Sequence, residues 1–269
     1  GQKIGCCGDT TNYGNTFIGM SAGKCPTNPI ANTFIGYHAG LGNGDSTGGT
    51  GGSCNIAIGY YAASGFRGGD NNVSIGRYVG TSNSTGSNNF ASGNFAFACN
   101  LTGGGNITVG SEGLGKNITG ANNVALGCRT LFCNTTGSFN VAIGYKALNS
   151  NSTNGGSIAI GCAAGFCATC GPNIMIGGNA GYNLNECNNT FVGQAAGNKS
   201  TNATGNTFIG HHAGACNTTG DTNTSIGCKA GIGNTTGNSN ISIGYASGSQ
   251  SCGSTGAGNL SIGHYSAKN

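Results

Sequence analysis

Residues 134–161 read NTTGSFNVAIGYKALNSNSTNGGSIAIG and hold one unit twice, 17 residues apart at Gly144 and Gly161. The unit is N-x-x-I-G-x-x-A-G followed by a polar Gly/Thr/Asn turn. The same unit recurs outward in both directions, with marker glycines at Gly19, Gly36, Gly59, Gly76, Gly93, Gly110, Gly127, Gly144, Gly161, Gly177, Gly193, Gly210, Gly227, Gly244 and Gly263. From Gly59 to Gly161 every step is 17 residues, and from there to Gly244 the steps are 16 or 17. Only three steps stray, to 14, 23 and 19 residues, counting an abbreviated copy that opens at Gly5. A fixed period of this size marks stacked repeats, each packed only on its neighbours. The spacing predicts an all-β parallel solenoid, or β-roll, of about 15 coils in one domain over 1–269, with a first partial coil at 1–8.

Composition agrees. The chain has 269 residues, 56 of them Gly, and charged residues are 6% of it. An ordinary soluble domain carries roughly 25%. Gly and Asn are poor helix formers, which argues against a helical enzyme or a coiled coil. Gly does not recur every third residue, so collagen is excluded. The net charge of +4 is scattered, with none of the clustering that nucleic-acid binding needs. No apolar stretch approaches the roughly 20 residues that cross a bilayer, and no secretion signal is visible.

Within a coil, Ile, Val or Leu precedes the marker Gly in every copy but one (Ser92), and another β-branched residue usually stands two residues earlier, three before the Gly. That alternation predicts a strand with one packed face. A small residue three past the Gly, as at Ala22, Ala39, Ala62, Ala147, Ala164, Ala180, Ala196, Ala213 and Ala230, would face it from a second short strand. The position two before the Gly carries Phe17, Phe34, Phe191 and Phe208, or a small residue. It is expected on the outer face, against another chain, which suggests a homo-oligomer. Asn stands four before the Gly at Asn15, Asn32, Asn55, Asn72, Asn89, Asn106, Asn123, Asn140, Asn173, Asn189, Asn206, Asn223, Asn240 and Asn259, with Ser157 the exception. Stacked in register, these amides predict a ladder, each bonded to the next.

The stretch 134–161, and the recurring NVAIG and NISIG cores with Ala following, resemble the shaft repeats of phage tail-fibre proteins and the head repeats of YadA-type trimeric autotransporter adhesins. The resemblance covers nearly the whole chain and rests on repetition. It implies a left-handed parallel β-roll assembled as a homotrimer, which spaces or presents adhesive surfaces outside a cell or virion.

Chemistry-bearing residues are dispersed. His38, His211, His212 and His264 lie one or two past a marker Gly, and the six acids form no close pair. No catalytic set, cofactor site or resident metal is expected. Fourteen Cys suggest an oxidising compartment. Cys128 with Cys133, Cys162 with Cys167, Cys170 with Cys187, and Cys216 with Cys228 are candidate disulfide partners, while Cys6, Cys7 and Cys252 are candidates for linking subunits. An alternative joins Cys162, Cys167, Cys170 and Cys187 in a four-thiolate zinc site. Asn83, Asn100, Asn117, Asn134, Asn151, Asn217 and Asn234 recur at one turn position inside N-x-S/T triplets. They read either as a turn motif or as a stripe of N-glycans.

Neither end carries a visible polar cap, so head-to-tail stacking is a further expectation. The sequence thus points to a non-enzymatic, extracellular or virion-surface fibre whose partner is itself. The alternative is an adhesive module binding glycans or a receptor through outward pairs such as Tyr60–Tyr61 and His211–His212. An ice-binding face is the third reading, and it would need an unbroken Thr array, whereas Thr fills that strand position in only five coils.

Overall fold

The computed structural model describes residues 13–24, 30–42, 51–249 and 252–267, and its described residues form strands and turns only. The chain divides into two compact units, Gly1–Ser138 and Phe139–Asn269. The expected partial coil at 1–8, with Cys6 and Cys7, lies outside the described residues.

The first unit holds β1 (Thr16–Ile18), β2 (Thr33–Ile35), β3 (Ile56–Ile58), β4 (Val73–Ile75), β5 (Phe90–Ser92), β6 (Ile107–Val109) and β7 (Val124–Leu126). The second holds β8 (Val141–Ile143), β9 (Ile158–Ile160), β10 (Ile174–Ile176), β11 (Thr190–Val192), β12 (Thr207–Ile209), β13 (Thr224–Ile226), β14 (Ile241–Ile243) and β15 (Leu260–Ile262). Inside each unit successive strands pair in parallel, with like position over like position. Ile56 lies against Val73, Ala57 against Ser74 and Ile58 against Ile75. The architecture is a parallel β-solenoid whose repeat is the 17-residue unit.

Each coil has one three-residue strand. The second short strand expected after the marker Gly is absent among the described residues, and turns with left-handed residues replace it. In the first unit Ser21, His38, Tyr61, Tyr78, Phe95, Glu112 and Arg129 all have φ between 53° and 57° at the second position past the Gly. The marker Gly itself is sterically required. At Gly59 φ is 136°, and an added Cβ would lie 2.3 Å from the carbonyl oxygen of Gly76 on the next coil. Only a residue without Cβ tolerates that approach.

The strand faces are the reverse of the sequence expectation. The middle residue points inward: Phe34, Ala57, Ala125, Ala142, Met175 and Phe191 are fully buried. The flanking Ile and Val point outward, with Ile58 36% and Ile107 44% exposed. The Phe column is therefore core. Opposite it, the Ala three past the Gly is buried as expected.

Size is exchanged across the interior of the coil. Where the strand centre is Phe, the residue four past the marker is Gly: an added Cβ at Gly40 would lie 2.3 Å from the Phe34 ring, and one at Gly214 2.5 Å from Phe208. Where the centre is Ala125 or Ala142, that position is Leu131 or Leu148, both buried. In these coils one large side chain fills the narrow core at close-packed density. Two small residues share these positions at β3, β4 and β9 (Ala57 with Ala63, Ser74 with Gly80, Ala159 with Gly165), and in all three of the last strands, β13 to β15, where Ser225 pairs with Gly231, Ser242 with Gly248 and Ser261 with Ala267. A cavity of about 530 Å³ results, floored by Phe208.

Candidate functional site

The Asn column is a ladder, though amide-to-amide bonding is its lesser part. The backbone N–H of each Asn donates to Oδ1 of the Asn one coil earlier: Asn55 to Asn32 at 2.8 Å, Asn72 to Asn55 at 2.8 Å and Asn106 to Asn89 at 2.9 Å. Each Nδ2 then donates to a carbonyl on the following coil, as Asn55 does to Gly69 at 2.8 Å and Asn106 to Gly120 at 2.9 Å. Direct amide contacts add to these, as from Asn89 Nδ2 to Asn72 Oδ1 at 3.0 Å. Ser157 keeps the chain of bonds unbroken. It donates its N–H to Asn140 Oδ1 and accepts the Asn173 N–H on its hydroxyl. The bends before these strands thus find their hydrogen-bond partners within the chain.

The turn column of triplets is a second ladder inside the coil. Asn83, Asn100, Asn117, Asn134, Asn151 and Asn217 are buried, and Asn234 is partly so. Asn100, Asn117 and Asn134 donate Nδ2 to the preceding amide oxygen at 2.7 to 2.8 Å, and each also donates to the Gly carbonyl three residues on. A glycan on Nδ2 would have to occupy the core and would remove these donors. The glycan-stripe reading is corrected accordingly. A signal for this lay in the sequence, because the same repeat position carries Phe66 and Leu184 in other coils, and both are buried.

One of the expected cysteine pairs forms: Cys170 is joined to Cys187, whereas Cys216 is joined to Cys252 rather than Cys228. Cys252 is thus consumed within the chain. Cys54, Cys99, Cys128, Cys133, Cys162, Cys167 and Cys228 are free thiols, so the pairs Cys128–Cys133 and Cys162–Cys167 do not form. The disulfide at Cys170 and Cys187 also removes two ligands from the four-thiolate alternative. Among the described residues no group of three or more His, Cys, Asp and Glu is placed to hold a metal. Cys228 Sγ lies 3.8 Å from His211 Nδ1 on the adjacent coil. Burial raises the pKa of the Cys167 thiol, which favours its protonated form.

Two surfaces remain as candidate sites. The first is the outward face of the sheet. Its two ranks, the first and third residues of every strand, carry only Thr, Val, Ile, Leu, one Phe and one Ser, with no charge. The second is a stack of rings just past the marker Gly. Tyr37 and Tyr60 stack at 5.2 Å, Tyr61 and Tyr78 at 5.5 Å, and Tyr78 and Phe95 at 5.1 Å. The Arg77 guanidinium lies 5.4 Å from both the Tyr78 and Phe95 rings. Desolvation, then the hydrogen bond with Tyr78, raises the Tyr60 pKa, so the phenol stays neutral. Because the ring faces cover one another, the stack offers mainly edges and hydroxyls to a ligand.

Among the described residues the Cys228–His211 contact is a lone thiol–imidazole pair, with no acid placed to complete a cluster. Glu112 and Arg129 form a surface ion pair at 3.0 Å across adjacent coils. His38 stacks on Tyr37, and His264 on Tyr245. No protein-family model, curated protein or solved structure matches the chain.

Proposed function

We propose that this chain is a structural, extracellular fibre protein that stacks its coils into a stiff support and associates laterally with further copies of itself. The observation that carries the reading is the outward sheet face of each unit: two uncharged, mostly aliphatic ranks, on the seven strands β1 to β7 and on the eight strands β8 to β15. A contiguous apolar patch beyond a few hundred Å² is rare on a solvated monomer and marks an interaction surface. Among the described residues the buried Asn side chains are spent on the two amide ladders. Two disulfides fit an oxidising environment. The resemblance to tail-fibre shafts and adhesin heads supports the same role. Light scattering and electron imaging of the purified, reduced protein test it. Defined lateral assemblies are expected, and a monomer at every concentration would remove the reading.

The ring stack favours a second reading, an adhesive module. Its edges and phenols, with Arg77 beside them, suit a polar partner such as a glycan. A glycan array probed with the native chain and with Tyr60→Ala tests this, and equal signals from both would dismiss it.

A further inference from the structure

On the outward face one strand differs from all others. In β5 the first rank carries Phe90, the only aromatic of either rank, and the third rank carries Ser92, the only serine. Phe90 is 38% exposed and stands as a knob, while Ser92 leaves a notch beside it between Ile75 and Val109. We infer that this face pairs with the same face of a second copy, the two stacks running parallel about a two-fold axis along the stacking direction, so that Phe90 of each copy seats in the Ser92 notch of the other. This deepens, and rests on, the lateral self-association proposed above.

The geometry follows from symmetry. A two-fold axis lying between facing sheets along the stacking direction lays the first rank of one copy on the third rank of the other, coil for coil. Phe90 then meets Ser92 twice. An axis along the strands instead reverses one stack and lays like rank on like, which sets Phe90 against Phe90 when centred on β5. In the first unit the parallel arrangement also places Thr16 opposite Ile18 and Thr33 opposite Ile35, so neither strand opposes two hydroxyls. A second copy is the occupant whose spacing along the stack matches, because its side chains recur at the same interval of about 4.8 Å and can interdigitate.

The test is the mass of the chain in reducing buffer, where free thiols cannot link copies, together with its dissociation constant. The native chain is expected to be a dimer. Ser92→Phe sets knob on knob and weakens it by roughly tenfold or more. The double variant Phe90→Ser with Ser92→Phe exchanges knob and notch and restores it. As a check independent of variant folding, benzoylphenylalanine at position 90 is expected to photocrosslink, in the dimer band, to the peptide holding Ser92. A monomeric native chain overturns this inference together with lateral association. A trimer, or a dimer that Ser92→Phe leaves equally tight, or a crosslink to any other segment, overturns the pairing alone.

Discussion

Asn106 shows how much one side chain holds in this fold. Its Oδ1 accepts the Asn123 N–H, and its Nδ2 reaches Gly120 and Asn89. Asn106→Ala leaves buried groups unpaired on both sides, so a loss of at least about 1–3 kcal/mol is expected in a denaturant titration. At Asn117 the two reading frames of the sequence separate. Expressed in a glycosylating host, the folded protein is expected to show no added sugar mass at Asn117 by peptide mass spectrometry, because that amide is fully buried. His212 gives a pH prediction. Desolvation, then the charges of His211 and Lys229, lowers its folded pKa below 6.5. As pH falls past 6.5 the unfolded chain therefore binds the proton first, and stability declines until the folded pKa is reached. Thermal melts across that range are expected to fall toward acid, and His212→Asn to flatten the slope.

In a single coil the deciding relation is between the strand centre and the residue four past the marker Gly. Phe34→Ala is expected to cost about 3–5 kcal/mol. Gly40→Leu alone forces a side chain into the Phe34 ring and also destabilises. Together they recreate the Ala142–Leu148 arrangement and are expected to recover part of the loss, read as a coupling energy in a double-mutant cycle. Leu148 itself sits at φ 49°, so the recovery is incomplete. Conversely, Ser225→Phe opposite Gly231 copies the Phe208–Gly214 coil and is expected to raise the melting temperature. These pairs also show what the sequence could and could not reveal. Period, register and the first ladder were legible because identical residues recur at fixed spacing. Inside and outside were not, since a three-residue strand offers one alternation, in which two aliphatics outnumber a single Phe or Ala. The buried turn amides were obscured by a surface-modification pattern that chance alone produces in an Asn- and Thr-rich chain.

Across each unit, a coil touches little beyond the coils before and after it, so stability is close to a sum of nearest-neighbour terms. Staples then act locally. The Cys216–Cys252 bridge closes 36 residues, for which about 3–4 kcal/mol is typical. Reduction, or Cys216→Ser with Cys252→Ser, is expected to speed hydrogen exchange over 210–263 while leaving β3 to β7 unchanged. The disulfide pairing lay beyond sequence reasoning because Cys216 and Cys252 are brought together only by the 19-residue step between Gly244 and Gly263. That longer turn carries Cys252 back over the coil of β13, where its Sγ lies 4.0 Å from the Ile232 carbonyl.

Cross-coil backbone bonds, such as Gly76 to Ile58 and Thr33 to Asn55, lie between consecutive windings. Under tension along the stack these bonds would be loaded one layer after another, like the teeth of a zipper. Each released layer frees 17 residues, roughly 55–60 Å of slack. Such a chain would yield under tension in even increments, lengthening without snapping.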